Sequence, residues 1–326
     1  ILRDKRGAIY MDDCLVYFFT GFLDSGKTSV ICSWIGGENF KNRKVVVINT
    51  EEGEEEYIPE NYEGANPVII NCDTDDVNKE LTFDIEAKHK PGVVFIEWNG
   101  SVSPAEFFEK VDVPERWALA ASVVVIDAST YSNSLKNMTT FFADYFRYGD
   151  TVIFNRVNEE TDNIPKLRGS VKAVNPGMSI NFLGEDNKII RIEDHLPFDL
   201  NQNPCVIAAE DFGLFYTDAM DNMERYNGKR VSLIGQAVIL REFNGRAFVL
   251  QRQAYTCCAA DIQMMGVLCF YELRSNFPAG QWLKVTGQVR YFEDDDGQGG
   301  KVNVPCLTVE DYAITSKPDN DVIYFN

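Results

Sequence analysis

Eight consecutive residues near the start of the chain have the types and spacing of a phosphate-binding loop. The segment Gly21-Phe22-Leu23-Asp24-Ser25-Gly26-Lys27-Thr28 fits the pattern G-x-x-x-x-G-K-[ST]. Its glycines let the backbone curl so that N–H groups point at a polyphosphate, and the start of a following helix adds partial positive charge. Lys27 would reach the β- and γ-phosphates, and the Thr28 hydroxyl would ligate Mg²⁺. The loop therefore predicts a site for a nucleoside triphosphate with Mg²⁺.

The sequence around this loop has the strand–loop–helix order that such a site requires. An apolar run precedes the loop at residues 15–19, and a helix-compatible stretch follows it at residues 29–34. The alternative is a glycine-rich turn that only joins a strand to a helix. We favour the nucleotide site because the context and all of the motif residues are present. The residues expected to contact the phosphates are Gly21, Asp24, Ser25, Gly26, Lys27, Thr28 and Ser29.

Five further apolar runs alternate with helix-compatible stretches in the first half of the chain. They are residues 44–48, 68–70, 93–96, 123–126 and 151–154, and they are rich in valine and isoleucine. Short β-branched runs are typical of strands covered on both faces. Alternation with helices predicts an α/β fold with a doubly wound, mostly parallel sheet. Ligands of such sheets bind at the carboxyl ends of the strands, where the polar clusters of this sequence also fall.

Three sequence blocks occur in the order found in CobW-type P-loop GTPases. Gly21 to Thr28 is similar to the family's G-F-L-x-[SA]-G-K-T, and Glu97-Trp98-Asn99-Gly100 is similar to its E-x-x-G. Tyr148-Gly149-Asp150 through Asn158 is similar to its base-recognition block. Residues 11 to about 185 therefore resemble this family, whose relatives include the UreG and HypB metallochaperone GTPases. The resemblance implies GTP hydrolysis that delivers metals such as zinc or cobalt to client metalloproteins.

The resemblance also implies roles for residues outside the loop. Lys27, Glu97 and Gly100 would form the catalytic set, in which Glu97 holds Mg²⁺ together with Thr28 and the Gly100 N–H lies near the γ-phosphate. The plain alternative for Glu97 is a carboxylate that happens to end a strand. Glu51 resembles a position in the family's N-E-F-G-E switch loop, although a solvated, mobile loop accounts for most of the glutamates around it.

The base-recognition block departs from the family at two positions. Asn155 matches, but Asn158 stands where the family has an aspartate and Arg156 where it has a lysine. An aspartate accepts from the ring N–H and the exocyclic amine of guanine, whereas an amide supplies one donor and one acceptor. If the N–H donor of the amide faces that amine, polar groups are left unpaired, which costs about 1–3 kcal/mol. We therefore expect GTP to bind with relaxed base selectivity, and xanthine to suit Asn158 better.

A second departure concerns metal binding in the first half of the chain. The family's C-x-C-C motif is replaced by Asn71-Cys72-Asp73-Thr74-Asp75-Asp76. One thiolate does not make a tight zinc site, and a solvated acidic turn explains this segment better. Metal delivery is therefore not supported by residues of this half.

The second half of the chain has a different pattern. Residues 231–239 and 282–292 alternate apolar with polar side chains, which predicts half-buried strands, and Asn244-Gly245 predicts a hairpin turn. Glycines inside these strands would permit the bends of a small, mostly-β, OB-like barrel. We expect an extension at 1–10, a nucleotide-binding domain at 11–185, a linker at 186–215 and an OB-like domain at 216–326.

Adjacent cysteines are the most distinctive chemistry of the second half. Thr256-Cys257-Cys258-Ala259-Ala260-Asp261 resembles the T-C-C-A-[AD]-D block of an uncharacterised bacterial domain. Cys257, Cys258 and Asp261 would contribute to a soft-metal site, such as one for zinc. A buried cysteine pair with Asp261 capping a helix is an equally good interpretation. There are two alternatives to an active GTPase, in which the protein is either a nucleotide-gated module without turnover or chiefly a metal carrier.

The bulk composition restricts partners and compartment. The 326 residues carry a formal net charge of −19, which repels nucleic acid and anionic lipid. No stretch has the length of a membrane span. We expect nucleotide and a client protein as partners, with neither nucleic acid nor membrane among them. Nucleotide binding indicates a reducing cytoplasm without disulfides. The sequence does not specify an oligomeric state.

Overall fold

The chain forms two compact units. The computed structural model describes residues 12–53, 55–62, 66–158, 161–175, 177–184, 188–190, 196–255, 262–295, 301–319 and 321–324. The first unit comprises Ile1–Asp162 with Gly177–Ile192, and the second comprises Asn163–Pro176 with Glu193–Asn326. The second unit thus includes a short stretch, Asn163–Pro176, that precedes the last segment of the first unit in the sequence.

Seven parallel strands form the sheet of the first unit. They are β1 Cys14–Thr20, β2 Val45–Asn49, β3 Val68–Asn71, β4 Val93–Glu97, β5 Trp117–Asp127, β6 Thr151–Asn155 and β7 Ser179–Phe182. Their order is β3-β2-β4-β1-β5-β6-β7. The predicted α/β fold with a parallel sheet is confirmed, and strands β1, β4 and β5 lie side by side at its centre.

Five of the helices that lie between these strands in the sequence belong to the first unit. They are α1 Lys27–Ile35, α2 Lys79–His89, α3 Ala105–Lys110, α4 Ala128–Asn137 and α5 Thr139–Tyr148. Residues 128–148 form two helices and not one, because Met138 between them has non-helical dihedrals. Among the described residues, no helix combines the length and apolar character needed to cross a membrane.

Apolar side chains cover both faces of the central strand β1. Phe19 lies in a cluster with Val30 and Ile31 of α1, whereas Phe18 packs on the opposite face against Phe107 and Trp98. This burial explains the uninterrupted apolar run in the sequence. Because apolar side chains cover both faces of the sheet, the candidate functional side chains lie at the strand ends.

A second, mixed sheet forms most of the second unit. Its strands are β8 Cys205–Val206, β9 Arg230–Ile239, β10 Ala247–Tyr255, β11 Ile262–Phe270, β12 Trp282–Asp295, β13 Lys301–Ile314 and β14 Val322–Tyr324. Their order is β14-β10-β11-β13-β12-β9-β8, and β9 also pairs with β10. The helices of this unit are α6 Ile164–Val174, α7 Phe212–Asp221 and α8 Met223–Tyr226. The segment 186–215, expected as a linker, contains β8 and the start of α7.

Glycines and one asparagine give the second sheet its turns. Asn244 and Gly245 have φ of 49° and 75° and lie in the connection between the antiparallel strands β9 and β10. Gly287 lies at a register shift between β12 and β13, where a Cβ would come within 2.6 Å of the Thr308 carbonyl oxygen. The glycine predicted to bend this strand is therefore at an irregularity of the pairing.

Candidate nucleotide-binding site

The loop after β1 has the backbone conformation expected of a phosphate-binding loop. Gly21, Asp24 and Gly26 have φ of 143°, 61° and 95°, in the region that favours glycine. Helix α1 begins at Lys27, directly after Gly26. The curled backbone therefore brings the start of a nine-residue helix to the end of the central strand.

Two main-chain contacts hold the loop against the neighbouring strand ends. A Cβ on Gly21 would lie 2.0 Å from the carbonyl oxygen of Val125 in β5, and a Cβ on Gly100 would lie 2.1 Å from the carbonyl oxygen of Gly21. Real Cβ atoms do not approach oxygen so closely, so both positions require glycine. The segments that follow β1 and β4 are thus in direct backbone contact.

Lys27 is the central cation of the site. Its side chain is 2% exposed, and its Nζ donates to the carbonyl oxygens of Gly21 at 2.8 Å and Phe22 at 3.0 Å. The same Nζ forms an ion pair with Glu51 Oε2 at 2.5 Å. A buried ammonium requires a compensating anion. In this structure Glu51 supplies it.

Thr28 and Glu97 come together beside Lys27. The Thr28 hydroxyl donates to Glu97 Oε1 at 2.9 Å, and the Tyr57 hydroxyl donates to the other carboxylate oxygen. Burial raises the pKa of Glu97, while the Lys27 ammonium and the hydrogen bonds from Tyr57 and Thr28 act in the opposite direction. Burial and the adjacent Glu97 carboxylate raise the pKa of Tyr57, so its hydroxyl remains a donor. Neighbouring hydroxyl and carboxylate oxygens are the donor set that suits Mg²⁺.

Two hydroxyl groups next to the loop lack hydrogen-bond partners among the described residues. The side-chain oxygens of Thr20 and Ser25 are buried, and neither bonds to any described group. A buried polar atom without a partner costs about 1–3 kcal/mol. The Ser25 hydroxyl belongs to the motif itself, so an oxygen-rich ligand in the loop would relieve part of this cost.

Asn155 and Arg156 approach the loop from the end of β6. Asn155 is 1% exposed and donates from Nδ2 to the Ser25 carbonyl oxygen at 3.2 Å. Arg156 Nη1 donates to the Asp24 carbonyl oxygen at 2.7 Å and to Asp127 Oδ2 at 2.6 Å. The base-recognition block is therefore attached to the phosphate-binding loop through these two side chains.

Of the predicted site residues, Gly21, Ser25, Gly100 and Asn155 form the contacts already described, and the others differ in where they lie. One cleft is lined by seven of the predicted nucleotide and Mg²⁺ residues, which are Asp24, Gly26, Lys27, Thr28, Ser29, Glu97 and Arg156. Leu23, Glu51, Gly53 and Glu55 also line this cleft. Asn158 is exposed, and its N–H donates to Asp162 Oδ2 at 2.9 Å. Cys257, Cys258 and Asp261 lie outside the described residues, and among the described residues no three or more His, Cys, Asp or Glu side chains are grouped so that they could hold a metal ion.

Four residues that the sequence did not single out contribute to the site. Thr50 Oγ1 donates to the Glu97 carbonyl oxygen, Tyr57 bonds the Glu97 carboxylate, and Glu55 accepts from the Ser29 hydroxyl. Tyr145 in α5 donates to the Gly100 carbonyl oxygen. Nothing in the local sequence marks these partners, because each bond joins positions 26 to 47 residues apart.

Two family models match the chain. The model of the CobW/HypB/UreG nucleotide-binding domain matches residues 15–182, and that of the DUF1980 C-terminal domain matches residues 184–325. The second match covers the half that contains the T-C-C-A-A-D block, but it does not by itself confirm the resemblance based on that block. No curated protein matches the chain.

Three solved structures show weak likeness. The hydrogenase maturation factor HypB from Archaeoglobus fulgidus is 15% identical, with coverage of 55% of this chain and 85% of that chain and a TM-score of 0.41. HypB from Helicobacter pylori in complex with nickel is 14% identical, with coverage of 54% and 80% and a TM-score of 0.36. The mitochondrial single-stranded DNA binding protein Rim1 from S. cerevisiae is 12% identical, with coverage of 27% and 95% and a TM-score of 0.19.

The first family match spans just over half of the chain and the whole region that carries the site. It includes the loop from Gly21 to Thr28, the Glu97–Gly100 turn and the Asn155–Asn158 block. The chain belongs to the CobW/HypB/UreG family of P-loop nucleotide-binding proteins, which includes metallochaperone GTPases.

Proposed function

We propose that this protein binds GTP, or a related purine triphosphate, together with Mg²⁺ and hydrolyses it in the cleft of the first unit. The observation that carries the proposal is the convergence of Lys27, Thr28 and Glu97 at the start of α1. Lys27 Nζ is buried beside the loop carbonyls, and the Thr28 hydroxyl lies 2.9 Å from the Glu97 carboxylate. Phosphoryl transfer depends mainly on such positioning and on neutralising the phosphate oxygens.

Each residue has a separate part in that chemistry. Lys27 neutralises oxygens of the β- and γ-phosphates, and the loop N–H groups hold the phosphate chain in line. Thr28 and Glu97 would hold Mg²⁺, which would supply further charge neutralisation when bound. The Gly100 N–H donates to the γ-phosphate from the end of β4. Tyr57 and Thr50 position the Glu97 strand end through their hydrogen bonds.

The finer assignments of base, metal and second unit belong to the same proposal. Arg156 and Asn158 flank the base, and Asn158 relaxes the preference for guanine. Family membership supports a role in metal delivery to a client protein, with Cys257, Cys258 and Asp261 as the ligands of a soft metal such as zinc. Successive pairing of β9, β10, β11, β13 and β12, with β12 returning to β9, supports an OB-like barrel in the second unit.

Calorimetry with GTP and Mg²⁺ tests the central proposal on the wild-type chain and on Lys27→Ala. We expect measurable heat of binding and slow phosphate release in the wild type, and loss of both in the variant. Lys88→Ala is the matched control, because Lys88 is an exposed lysine that pairs with Asp84 on α2. Circular dichroism of Lys27→Ala checks the fold, since the substitution leaves Glu51 buried without its cation.

Two results would contradict the proposal in different ways. Absence of heat with GTP, XTP and ATP in the folded wild type would exclude the nucleotide site. Binding without phosphate release in a single-turnover assay, with and without Zn²⁺, would favour the nucleotide-gated module over the GTPase. Removal of Mg²⁺ with a chelator should weaken triphosphate binding, because the ion that Thr28 and Glu97 would hold supplies part of the charge neutralisation of the phosphates.

A further inference from the structure

One carboxylate bridges the two donors to which the proposed function assigns the γ-phosphate. Glu51 Oε2 lies 2.5 Å from Lys27 Nζ, and Glu51 Oε1 accepts from the Gly100 N–H at 3.3 Å. The Glu51 side chain is only 10% exposed, so this arrangement is largely shielded from water. A carboxylate and a terminal phosphate both present acceptor oxygens to cationic and N–H donors. Glu51 therefore occupies the donors that a third phosphate would need.

Hydrogen bonds of neighbouring side chains hold Glu51 in this position. Immediately before it, Thr50 Oγ1 donates to the Glu97 carbonyl oxygen at 3.0 Å and accepts from the Asn99 N–H at 2.9 Å. Further along the same loop, the Tyr57 hydroxyl donates to the Glu97 carboxylate. The loop is thus attached at both ends to the strand end that carries Glu97. The contact between Glu51 and Lys27 is part of a connected network.

We propose that Glu51 determines phosphate-number specificity, so that the resting protein binds a nucleoside diphosphate more readily than a triphosphate. This inference rests on the proposed function. A diphosphate uses the loop amides and needs Lys27 only for its β-phosphate, so it leaves the Gly100 N–H bonded to Glu51. A triphosphate must displace Glu51 from both donors before its third phosphate can bind. The free site therefore selects against the substrate until Glu51 leaves Lys27 and Gly100.

The cost of displacement sets the size of the effect. The triphosphate must replace a charge-assisted contact with Lys27, and an undisplaced Glu51 would place a negative charge beside the γ-phosphate. Neutralising Glu51 removes both penalties while leaving an acceptor for Lys27. We therefore expect Glu51→Gln to raise triphosphate affinity by at least about tenfold and to leave diphosphate affinity within about threefold.

The experiment measures affinities for GDP and for a non-hydrolysable GTP analogue, with Mg²⁺, on the full chain. Wild type, Glu51→Gln, Glu51→Ala and Glu52→Gln are compared by calorimetry. Glu52 is the matched control because it is exposed on the same loop and has no hydrogen bond or ion pair with any described residue. Amide hydrogen exchange provides a second measurement. The Gly100 N–H should exchange faster in both Glu51 variants than in the free wild type.

The outcomes separate this inference from the proposed function. A selective gain for the triphosphate in the Glu51 variants, absent in Glu52→Gln, supports the inference. Equal changes for both nucleotides, no change, or a loss of triphosphate affinity would each overturn it while leaving nucleotide binding established. Failure of every variant and of the wild type to bind either nucleotide would overturn the proposed function itself.

Discussion

At the scale of single residues, Arg156 and Asn158 lie two positions apart but have different surroundings. The Arg156 guanidinium is held by Asp127 and by the Asp24 carbonyl oxygen, and Arg156 itself has a positive φ of 55°. Asn158 is exposed, while its backbone N–H is fixed by Asp162. The two residues therefore differ in function, since Arg156 fixes the base-recognition block to its neighbours and Asn158 presents its side chain to solvent.

Restoring a carboxylate at position 158 should sharpen base selectivity. We expect Asn158→Asp to raise the ratio of GTP affinity to XTP affinity by about tenfold or more, because an acceptor replaces a donor opposite the exocyclic amine of guanine. Competition titrations with the two nucleotides give the ratio directly. Asn163→Asp is the control, since Asp preserves the capping acceptor of α6 and adds the same charge. Equal or tighter GTP binding by the wild type than by Asn158→Asp would contradict the prediction.

The sequence was sufficient to predict that Lys27, Thr28 and Glu97 lie together, but not to identify the residues that bond to them. Lys27, Thr28 and Glu97 follow from the motif and from a strand end, because both are properties of local sequence. Tyr57 and Glu51 depend on how a loop folds back over that strand end. Glu51 carried a weak signal as a switch-loop position, whereas Tyr57 carried none.

At the scale of secondary-structure elements, uninterrupted apolar runs were predicted more easily than mixed sequences, and most of these runs are buried. Strands β1, β2 and β4 are buried along nearly their whole length and were recognisable as apolar runs. Edge strand β7, with the sequence Ser-Ile-Asn-Phe, exposes two of its four residues and was missed. Helix α2 buries only Thr82 and Ile85, so it lacks the apolar stripe that identifies a helix in a sequence.

Helix α5 contributes to the site through one hydrogen bond that can be tested. The buried Tyr145 hydroxyl donates to the Gly100 carbonyl oxygen. Tyr145→Phe should therefore lower the free energy of unfolding by about 1–2 kcal/mol, since a buried carbonyl loses its partner. Tyr148→Phe, in the same helix, removes a hydroxyl bonded to Glu109 near the surface and should cost less than about 0.5 kcal/mol.

Tryptophan fluorescence during urea unfolding suits this comparison. Three of the four tryptophans, Trp34, Trp98 and Trp117, lie in the first unit, so the signal reports mainly on the sheet that contains the site. Similar losses of stability in Tyr145→Phe and Tyr148→Phe would show that the bond to Gly100 contributes no more to stability than the bond near the surface.

At the scale of the whole molecule, each unit has a core of its own, and their boundary does not follow the sequence order. Helix α6 belongs to the second unit, where Lys172 pairs with Asp221 of α7 at 2.8 Å. The change in composition near residue 185 marked the transition between the two halves. It could not reveal that an earlier helix groups with the later one, because that contact joins residues 49 positions apart.

The net charge gives a prediction for the whole chain. With a formal charge of −19, the protein should not bind single-stranded DNA, even if its second unit forms the proposed OB-like barrel. Fluorescence anisotropy of a labelled oligonucleotide at about 50 mM salt should remain unchanged as protein is added, since low salt favours any electrostatic binding. A basic DNA-binding protein serves as the positive control. A saturable rise that weakens as salt is added would contradict this expectation.

The backbone crowding at Gly21, Gly100 and Val125 has a genetic consequence. The atoms that exclude a side chain at both glycines are main-chain oxygens, and every amino acid supplies the same oxygen at those positions. Trimming a neighbouring side chain therefore cannot make room for a substituted residue. Compensatory mutations elsewhere in the gene have no simple way to rescue either site, so selection on the nucleotide-binding fold should keep glycine at both positions.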